Sequence, residues 1–233
     1  MVNLDMDSPM GAANKEDIQS LQLSFIAKIL STYTHEMKNH LAIIKESSGL
    51  MQDMFEFGKL PKKKRDAQPF LATLEAIDNQ VKRSIGVINI LNRFGHRMDS
   101  SASMFDMNEI IEELIVLMHR LANQKRIVLE GEFDKDIPSV QSNPSKLQLI
   151  LYSLIQEKFQ SLGAGGKIIF RTFAANGRVI ISIGQQGDAL EPMSATSTIF
   201  QDLFLNTIKE LNGEIEQQEG AEEIKISIPL TKQ

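Results

Sequence analysis

The sequence lacks cysteine and tryptophan, and it contains two tyrosines and no long apolar run. The absence of cysteine excludes disulfides, thiolate metal sites and thiol catalysis, and it is compatible with a reducing cytoplasm. No apolar stretch approaches the roughly 18 residues of a membrane-spanning helix, and no basic region followed by an apolar core opens the chain. We therefore expect a cytoplasmic protein with no membrane segment and no signal peptide.

An excess of positive charge is also missing. The chain has 25 lysines and arginines against 30 aspartates and glutamates, a net charge of −5. This balance gives no general attraction to nucleic acid phosphates or anionic lipids, so we expect proteins or small molecules as partners, with neither nucleic acid nor membrane among them. The length of 233 residues is typical of two domains.

Apolar residues recur at steps of three and four through the first quarter of the chain, which predicts a helix from about Glu16 to Phe57. The stripe consists of Ile26, Leu30, Tyr33, Met37, Leu41, Ile44, Met51 and Phe55, with Ser48 in the same register. A second pattern of this kind runs from Phe70 to about Met98, and the Gly-, Pro- and Lys-containing segment 58–66 predicts a solvated loop between them. Two such helices form a hairpin, which is half of a four-helix bundle. A second copy of the chain supplies the other half most simply, so we expect a homodimer.

A polar island, residues 31–41, lies inside the first helix and is centred on His35. At about 100° per residue, the apolar stripe lies roughly 160° to 240° around the helix from His35. Asn39 and Glu46 share the face of His35. The pattern therefore predicts an exposed imidazole, either a functional one or an ordinary surface histidine.

After a linker at 99–103 the pattern changes to α+β. Helices are predicted at 108–124, 144–162 and 198–211, the second capped by Asn143 and Pro144. Strands are predicted at 127–133, 167–173, 178–183, 213–218 and 223–229, with a hairpin turn at Asn176-Gly177. Helices on one face of a mixed sheet are the economical arrangement of these elements.

The segment His35-Glu36-Met37-Lys38-Asn39-His40-Leu41 resembles the phospho-acceptor box of sensor histidine kinases, and residues 105–155 resemble the opening of their ATP-binding domain. The resemblance covers about residues 20–230. It implies an α+β protein in which an N-terminal helical hairpin forms a dimeric four-helix bundle and precedes an α/β sandwich of the histidine kinase ATPase type. The expected domains are a mobile arm at 1–16, the phosphotransfer hairpin at 17–99 and the ATPase-like domain at 104–233.

The same resemblance assigns roles to residues of the hairpin. His35 corresponds to the nucleophile that carries the phosphoryl group, Glu36 to a general base or proton acceptor, and Asn39 to a polar residue one turn further on. Receiver domains are expected to dock on the face around and below His35. That face contains Ala42, Ile43, Glu46 and Leu50.

The nucleotide motifs of the family are degenerate in this chain. Glu157 stands where the family has the Mg²⁺-binding asparagine, and Gln185 stands where it has the aspartate that receives the adenine amino group. Gly187 remains, but the second glycine of that motif is absent, and the lid region 191–198 has no glycine for a phosphate loop. We therefore expect no intrinsic cofactor, no metal site and no ATP binding in the family's manner; Mg²⁺ is expected from the receiver partner.

These observations favour a histidine phosphotransferase of a two-component phosphorelay, passing a phosphoryl group through His35 to or from receiver aspartates. Three alternatives stay open: a divergent ATP-dependent histidine kinase, a non-catalytic pseudokinase, and a receiver phosphatase that uses Asn39. His40 lies about 140° around the helix from His35, so the two cannot bind one metal ion together. We expect His96 and His119 to be structural.

Overall fold

The computed structural model describes residues 9–57, 67–99, 102–188, 198–217 and 223–230, with side chains given except for 9–18, 99 and 198–203. They form two compact units, which are treated separately below. One unit is Lys28–Gly95, and the other contains the chain up to Ala27 together with the chain from His96 onward. The domain boundaries that the sequence predicts, at 16, 99 and 104, stay predictions.

Helix α1 covers Pro9–Glu56 and helix α2 covers Gln68–Asp99. The expected start of α1 near Glu16 was wrong, because the helix begins seven residues earlier. Proline is tolerated in a first helical turn, where its missing N–H has no partner in any case, and the residues after it need no apolar period to be helical. The basic segment 58–66, interpreted above as a loop, lies outside the described residues, as do residues 1–8 of the expected mobile arm.

Within Lys28–Gly95, the helices bury a seam that is partly apolar and partly polar. Its buried apolar side chains are Ile29, Tyr33, Val87 and Phe94, and its buried polar side chains are Thr32, His40, Thr73, Gln80 and Ser84. The hydroxyls of Thr32, Thr73 and Ser84 each donate to the backbone carbonyl four residues earlier, at 2.8–2.9 Å. The hydroxyl hydrogens are therefore satisfied inside their own helices.

A second apolar face of this unit is exposed. Leu30 and Leu41 of the predicted stripe are 49% and 56% exposed, whereas Tyr33 of the same stripe is buried. On α2 the exposed apolar side chains include Leu74, Val81, Ile85 and Ile88. Their spacing of seven, four and three residues is that of a bundle seam. Some residues of the predicted stripe therefore pack inside the hairpin, and others lie on a surface that a single chain leaves exposed.

The other unit is an α/β sandwich, which confirms the predicted fold class. Its elements after α2 are β1 (Ser103–Phe105), α3 (Met107–Lys125), β2 (Val128–Phe133), β3 (Val140–Ser142), α4 (Pro144–Ser161), β4 (Lys167–Ala175), β5 (Arg178–Gln186), α5 (Thr198–Glu210), β6 (Glu214–Gln217) and β7 (Ile224–Pro229). Five strands form a sheet in the order β2-β4-β5-β7-β6, with β2 and β4 parallel and the other neighbours antiparallel. Strands β1 and β3 pair separately and were not predicted, because three residues are too few to show an alternation.

Local sequence signals fix the ends of several elements. The Asn143 side chain caps α4 by accepting from the Lys146 backbone N–H at 3.0 Å, with proline in the first turn, as predicted. Asn176 and Gly177 both have positive φ, 53° and 72°, as a two-residue hairpin turn between β4 and β5 requires. Alternate residues of β7, Ile224, Ile226 and Ile228, are buried, as expected for a sheet covered by helices on one face.

The last turn of α2 is joined to α3 inside this unit. The Arg97 guanidinium donates to both carboxylate oxygens of Glu113, at 2.6 and 3.0 Å, and lies 3.6 Å from Glu109. Two parallel N–H···O bonds fix the geometry as well as the charge pairing. In the part of the chain that the structure describes, no helix is both long enough and apolar enough to cross a membrane.

Candidate functional site

The His35 imidazole lies in the middle of α1 and is exposed, as the helical pattern predicts. Asn39, one turn further along the helix, is exposed as well. The four expected docking residues are also exposed, with Ile43 at 39% and Leu50 at 53%; the other two are Ala42 and Glu46. The face that the sequence assigns to partners is thus accessible within its own compact unit, and its function stays a prediction.

The side chain of Glu36 is half-buried, whereas that of the preceding residue, His35, is exposed. The Glu36 side chain is 34% exposed, and its Oε1 lies 3.9 Å from Nε2 of His40, one helical turn away. The negative charge of this carboxylate also interacts with the Tyr33 hydroxyl, three residues earlier in α1. Burial raises the pKa of the Tyr33 hydroxyl, and the negative charge of Glu36 raises it further. Glu36 therefore lies between a neutral phenol and an imidazole, beside an exposed histidine.

His40 is the residue of this cluster that sequence reasoning missed. It is 7% exposed, and its Nδ1 lies 3.3 Å from Oγ of Ser84 on α2. The helical angle between His40 and His35 excluded a shared metal ion, and no other role was predicted for His40. The useful signal was the spacing of four residues from Glu36, which places the two side chains on one face of the helix.

Glu157 and Gln185, which the sequence predicts to stand at degenerate nucleotide positions, lie in α4 and β5 of the other unit, and both are half-buried. Lys158, which follows Glu157, is 1% exposed, and its Nζ donates to Gln185 Oε1 at 3.2 Å. The amide oxygen at the position of the family's adenine-binding carboxylate is therefore already engaged by a buried ammonium group. Sequence reasoning missed Lys158, because lysine in a helix is usually solvated.

Gly187 has a structural reason to be glycine. Its φ is +126°, and a Cβ built at this residue would lie 2.9 Å from the Cα of Gly166. Next to it, the Gly163 N–H donates to the Asp188 carbonyl at 3.0 Å. The end of β5 thus packs backbone to backbone against the turn before β4, which requires a residue without a side chain. The expected lid at 191–198 lies outside the described residues, except that α5 begins at Thr198.

No group of three or more histidine, aspartate or glutamate side chains that could hold a metal ion occurs among the described residues. His119 is exposed and lies 3.2 Å from Asn123 through its Nδ1. His96 is exposed in the last turn of α2.

Comparisons with known proteins identify the homologues of this chain. The cell-division control histidine kinase PdhS of Brucella anthropi is 22% identical over 220 residues, which cover 93% of this chain and 20% of PdhS. PdhS of Brucella abortus matches with the same identity over the same shares. The chain is homologous to histidine kinases. It spans about a fifth of the length of the curated relatives it matches, and no protein-family model matches it.

Solved structures of histidine kinases are similar as well. The catalytic domain of histidine kinase ThkA is 22% identical, with a TM-score of 0.48, and the match covers 57% of this chain and all of that domain. The crystal structure of ThkA in complex with the response regulator protein TrrA is 19% identical, with a TM-score of 0.46. That match covers 97% of this chain and 68% of the ThkA chain.

Proposed function

We propose that the protein is a histidine phosphotransferase of a two-component phosphorelay. His35 takes a phosphoryl group from the aspartate of one response-regulator receiver domain and gives it to the aspartate of another. The proposal combines the homology to histidine kinases with an exposed acceptor histidine and a second domain whose nucleotide positions have changed.

The observation that supports a relay over an ATP-dependent kinase is the contact between Lys158 and Gln185. A nucleotide bound in the family's manner would present its amino group, a hydrogen-bond donor, at Gln185. The Gln185 oxygen already accepts from the positively charged Lys158 ammonium group, so the acceptor that the adenine amino group would need is engaged by a stronger donor. Gly187 is accounted for by its close approach to Gly166. These residues do not fit ATP, and we derive no step through it.

Phosphoryl transfer from a receiver requires only groups that this chain and its receiver partner supply. A neutral imidazole has one nitrogen with a lone pair and one with a hydrogen. The bare nitrogen attacks phosphorus, the new N–P bond forms as the P–O bond to aspartate breaks, and the electron pair leaves with the aspartate carboxylate. Glu36 then accepts the hydrogen of the other ring nitrogen. Mg²⁺ belongs to the receiver in this scheme and screens the phosphoryl charge.

The receiver is expected to contact the exposed face that runs from His35 towards the loop end of α1. Ala42, Ile43 and Leu50 supply apolar contacts on this face, and Glu46 supplies a charge. Ile43 and Leu50 expose large aliphatic side chains on the helix face that contains His35, as protein-binding surfaces commonly do. A chain of this kind acts as a homodimer, in which the exposed stripe of Leu74, Val81, Ile85 and Ile88 packs into a four-helix bundle.

The test uses two phosphoryl donors with wild-type protein and with His35→Ala. One donor is radiolabelled ATP with Mg²⁺, and the other is a panel of purified receiver domains loaded with radiolabelled acetyl phosphate. We expect label to pass from one or more receivers to the wild type and not to the variant, and no label to pass from ATP.

The other outcomes separate the alternative functions. Label from ATP that is lost in His35→Ala would establish a divergent kinase and overturn the relay. No label from either donor, with receiver binding retained by His35→Ala, would indicate a pseudokinase. Lys45→Gln, at an exposed residue of α1 to which no role is assigned, serves as the matched control.

A second candidate function, receiver phosphatase, is favoured by the exposed side chain of Asn39 on the face of His35. An amide at this position can orient a water molecule towards a receiver's phosphoaspartate. In that case Asn39→Ala would stop the loss of phosphate from the receiver, whereas His35→Ala would leave it largely intact. The reverse result, with loss abolished only in His35→Ala, supports the phosphotransferase.

A further inference from the structure

Three polar side chains, Glu36, His40 and Ser84, lie next to one another in the hairpin, and the proposed transfer step uses only Glu36. Glu36 Oε1 lies 3.9 Å from His40 Nε2, and His40 Nδ1 lies 3.3 Å from Ser84 Oγ. Both His40 and Ser84 are buried. A buried histidine between a carboxylate and a hydroxyl has a defined orientation, because each ring nitrogen has its own neighbour.

The hydrogen of the Ser84 hydroxyl decides which nitrogen of His40 carries the hydrogen in the neutral ring. A serine hydroxyl has one hydrogen to donate, and Ser84 donates it to the Gln80 carbonyl at 2.8 Å. The contact between Ser84 and His40 therefore has His40 Nδ1 as donor and the serine oxygen as acceptor. Neutral His40 then has a bare Nε2, and this nitrogen faces the Glu36 carboxylate.

We propose that His40 is a positioning residue for Glu36: Ser84 keeps a hydrogen on Nδ1, so that Nε2 faces the Glu36 carboxylate at 3.9 Å, where it holds Glu36 in place and offers its proton a second acceptor. The inference rests on the proposed phosphotransfer at His35. It adds that the proton acceptor of this site is a pair of side chains and not a single carboxylate.

Proton and charge balance along the transfer step. Attack on phosphorus leaves a hydrogen on the far ring nitrogen of His35, and this hydrogen moves to Glu36 as the phosphorylated ring becomes neutral. When His40 is neutral, Nε2 takes the proton from Glu36, and the carboxylate is restored beside the phosphohistidine. When His40 is already an imidazolium, it holds Glu36 by charge and takes no proton. The reverse transfer runs the same steps backwards.

Within the described residues, His40 contacts groups on both helices of the hairpin. On α1 the contacting group is the Glu36 carboxylate, whose charge adds to burial in raising the pKa of the Tyr33 hydroxyl. On α2 the contacting groups are the Ser84 hydroxyl and, through it, the Gln80 carbonyl, and neither titrates.

The first test reads the hydrogen positions directly and needs no activity. With four histidines in the chain, the ring nitrogens are resolved by long-range nitrogen–proton NMR of the full-length protein, with His40 assigned by loss of its signals in His40→Asn. We expect neutral His40 to carry its hydrogen on Nδ1, and Ser84→Ala to move it towards the commoner Nε2 form. A hydrogen on Nε2 in the wild type, or no change in Ser84→Ala, overturns the proposal.

The second test measures phosphorylation of His35 by phosphoramidate, a small-molecule donor that needs neither ATP nor a receiver. His40→Gln keeps an amide donor near the place of Nε2 but cannot accept a proton, and His40→Asn is too short to reach Glu36. We expect the wild type and His40→Gln to react at similar rates at pH 5.5, and the wild type to be about tenfold faster at pH 8. His40→Asn should be slower than both throughout. His119→Gln, a change at an exposed histidine, is the matched control and should follow the wild type.

A rate ratio between wild type and His40→Gln that does not change with pH overturns the positioning role. If His35 of the wild type takes no phosphate at any pH, the phosphotransfer proposal itself fails, whatever the NMR result for His40 is. The two failures are therefore distinguishable in one set of samples.

Discussion

The rings of Phe25 and Tyr152 stack with their centroids 4.2 Å apart and an angle of 30° between their planes. Phe25 lies in α1 and Tyr152 in α4, and both belong to the same compact unit. Residues of α1 before Ala27 are thus part of the sandwich unit, although the sequence pattern assigns the whole helix to the hairpin. An offset stack of two aromatic rings is worth about 0.5–1.5 kcal/mol beyond the area it buries.

Phe25→Ala should lower the free energy of unfolding by about 3–5 kcal/mol, because it removes a fully buried aromatic side chain and leaves a cavity over Tyr152. Phe25 is 1% exposed. Leu23→Ala, two residues away and 67% exposed, is the matched control and should change stability by less than about 0.5 kcal/mol. Urea unfolding followed by circular dichroism measures both. Equal losses in the two variants would contradict the packing role of Phe25.

Alkaline pH should destabilise the protein through its two tyrosines. Burial raises the pKa of Tyr33, with a further rise from Glu36, and burial raises that of Tyr152. The unfolded chain then releases these protons first as the pH rises above about 10, so the stabilisation is complete below pH 10 and is lost above it. For each tyrosine the loss approaches about 1.4 kcal/mol per pH unit.

Tyr33→Phe should therefore show a shallower fall in unfolding free energy between pH 10 and 11.5 than the wild type. The measurement is urea unfolding at several pH values, together with absorbance at 295 nm, which reports tyrosine ionisation. In the native wild type both tyrosines should ionise above pH 10. A normal titration of Tyr33 near pH 10 would rule out its burial against Glu36.

Gln185→Leu should destabilise the sandwich unit by about 1–3 kcal/mol, since the buried Lys158 ammonium group loses an acceptor. Adding Lys158→Met should recover most of that loss, because a hydrophobic side chain of similar length replaces a buried charge. The coupling energy from the double-mutant cycle measures the contact. Gln186→Leu, at the exposed neighbouring residue, is the control. Additive effects of the two changes on the free energy of unfolding would mean that the contact does not contribute to stability.

Ile85→Glu should convert the dimer to a monomer, because it places a charge in the apolar stripe that a second copy is proposed to cover. Ile85 is 52% exposed in the single chain, so the change should cost little within one hairpin. Arg83→Glu, at an exposed position on another side of α2, should leave the dimer intact. Light scattering after size-exclusion chromatography gives the mass of each. A wild-type mass of 26.1 kDa would already exclude the dimer.

Much of the architecture could be predicted from the sequence, because the long helices and the hairpin strands carry periodic or local signals. The cap at Asn143 and the turn at Asn176-Gly177 are examples, since each depends on neighbouring residues alone. The pairing of β1 with β3 could not be predicted, since two strands of three residues separated by more than thirty depend on tertiary contacts. The position of α1's first residue was wrong because a polar helix start has no apolar period to mark it.

The candidate site could be predicted in part. The exposure of His35 followed from the angle between it and the apolar stripe. The role of Ser84 could not, because it depends on the register of α2 against α1, which no local pattern contains. Lys158 was missed for a similar reason: its burial results from the packing of α4 against β5, while its sequence neighbours Glu157 and Phe159 give no sign of it.

The polar seam of the hairpin also determines which longitudinal offsets between α1 and α2 are permitted. Sliding α2 by one helical turn, about 5.4 Å, would take Ser84 away from His40 and leave a buried imidazole nitrogen without its hydrogen-bond partner, at a cost of about 1–3 kcal/mol. An all-aliphatic seam would resist such a shift much less. The contact between Ser84 and His40 therefore fixes the position of the two helices relative to each other along their length.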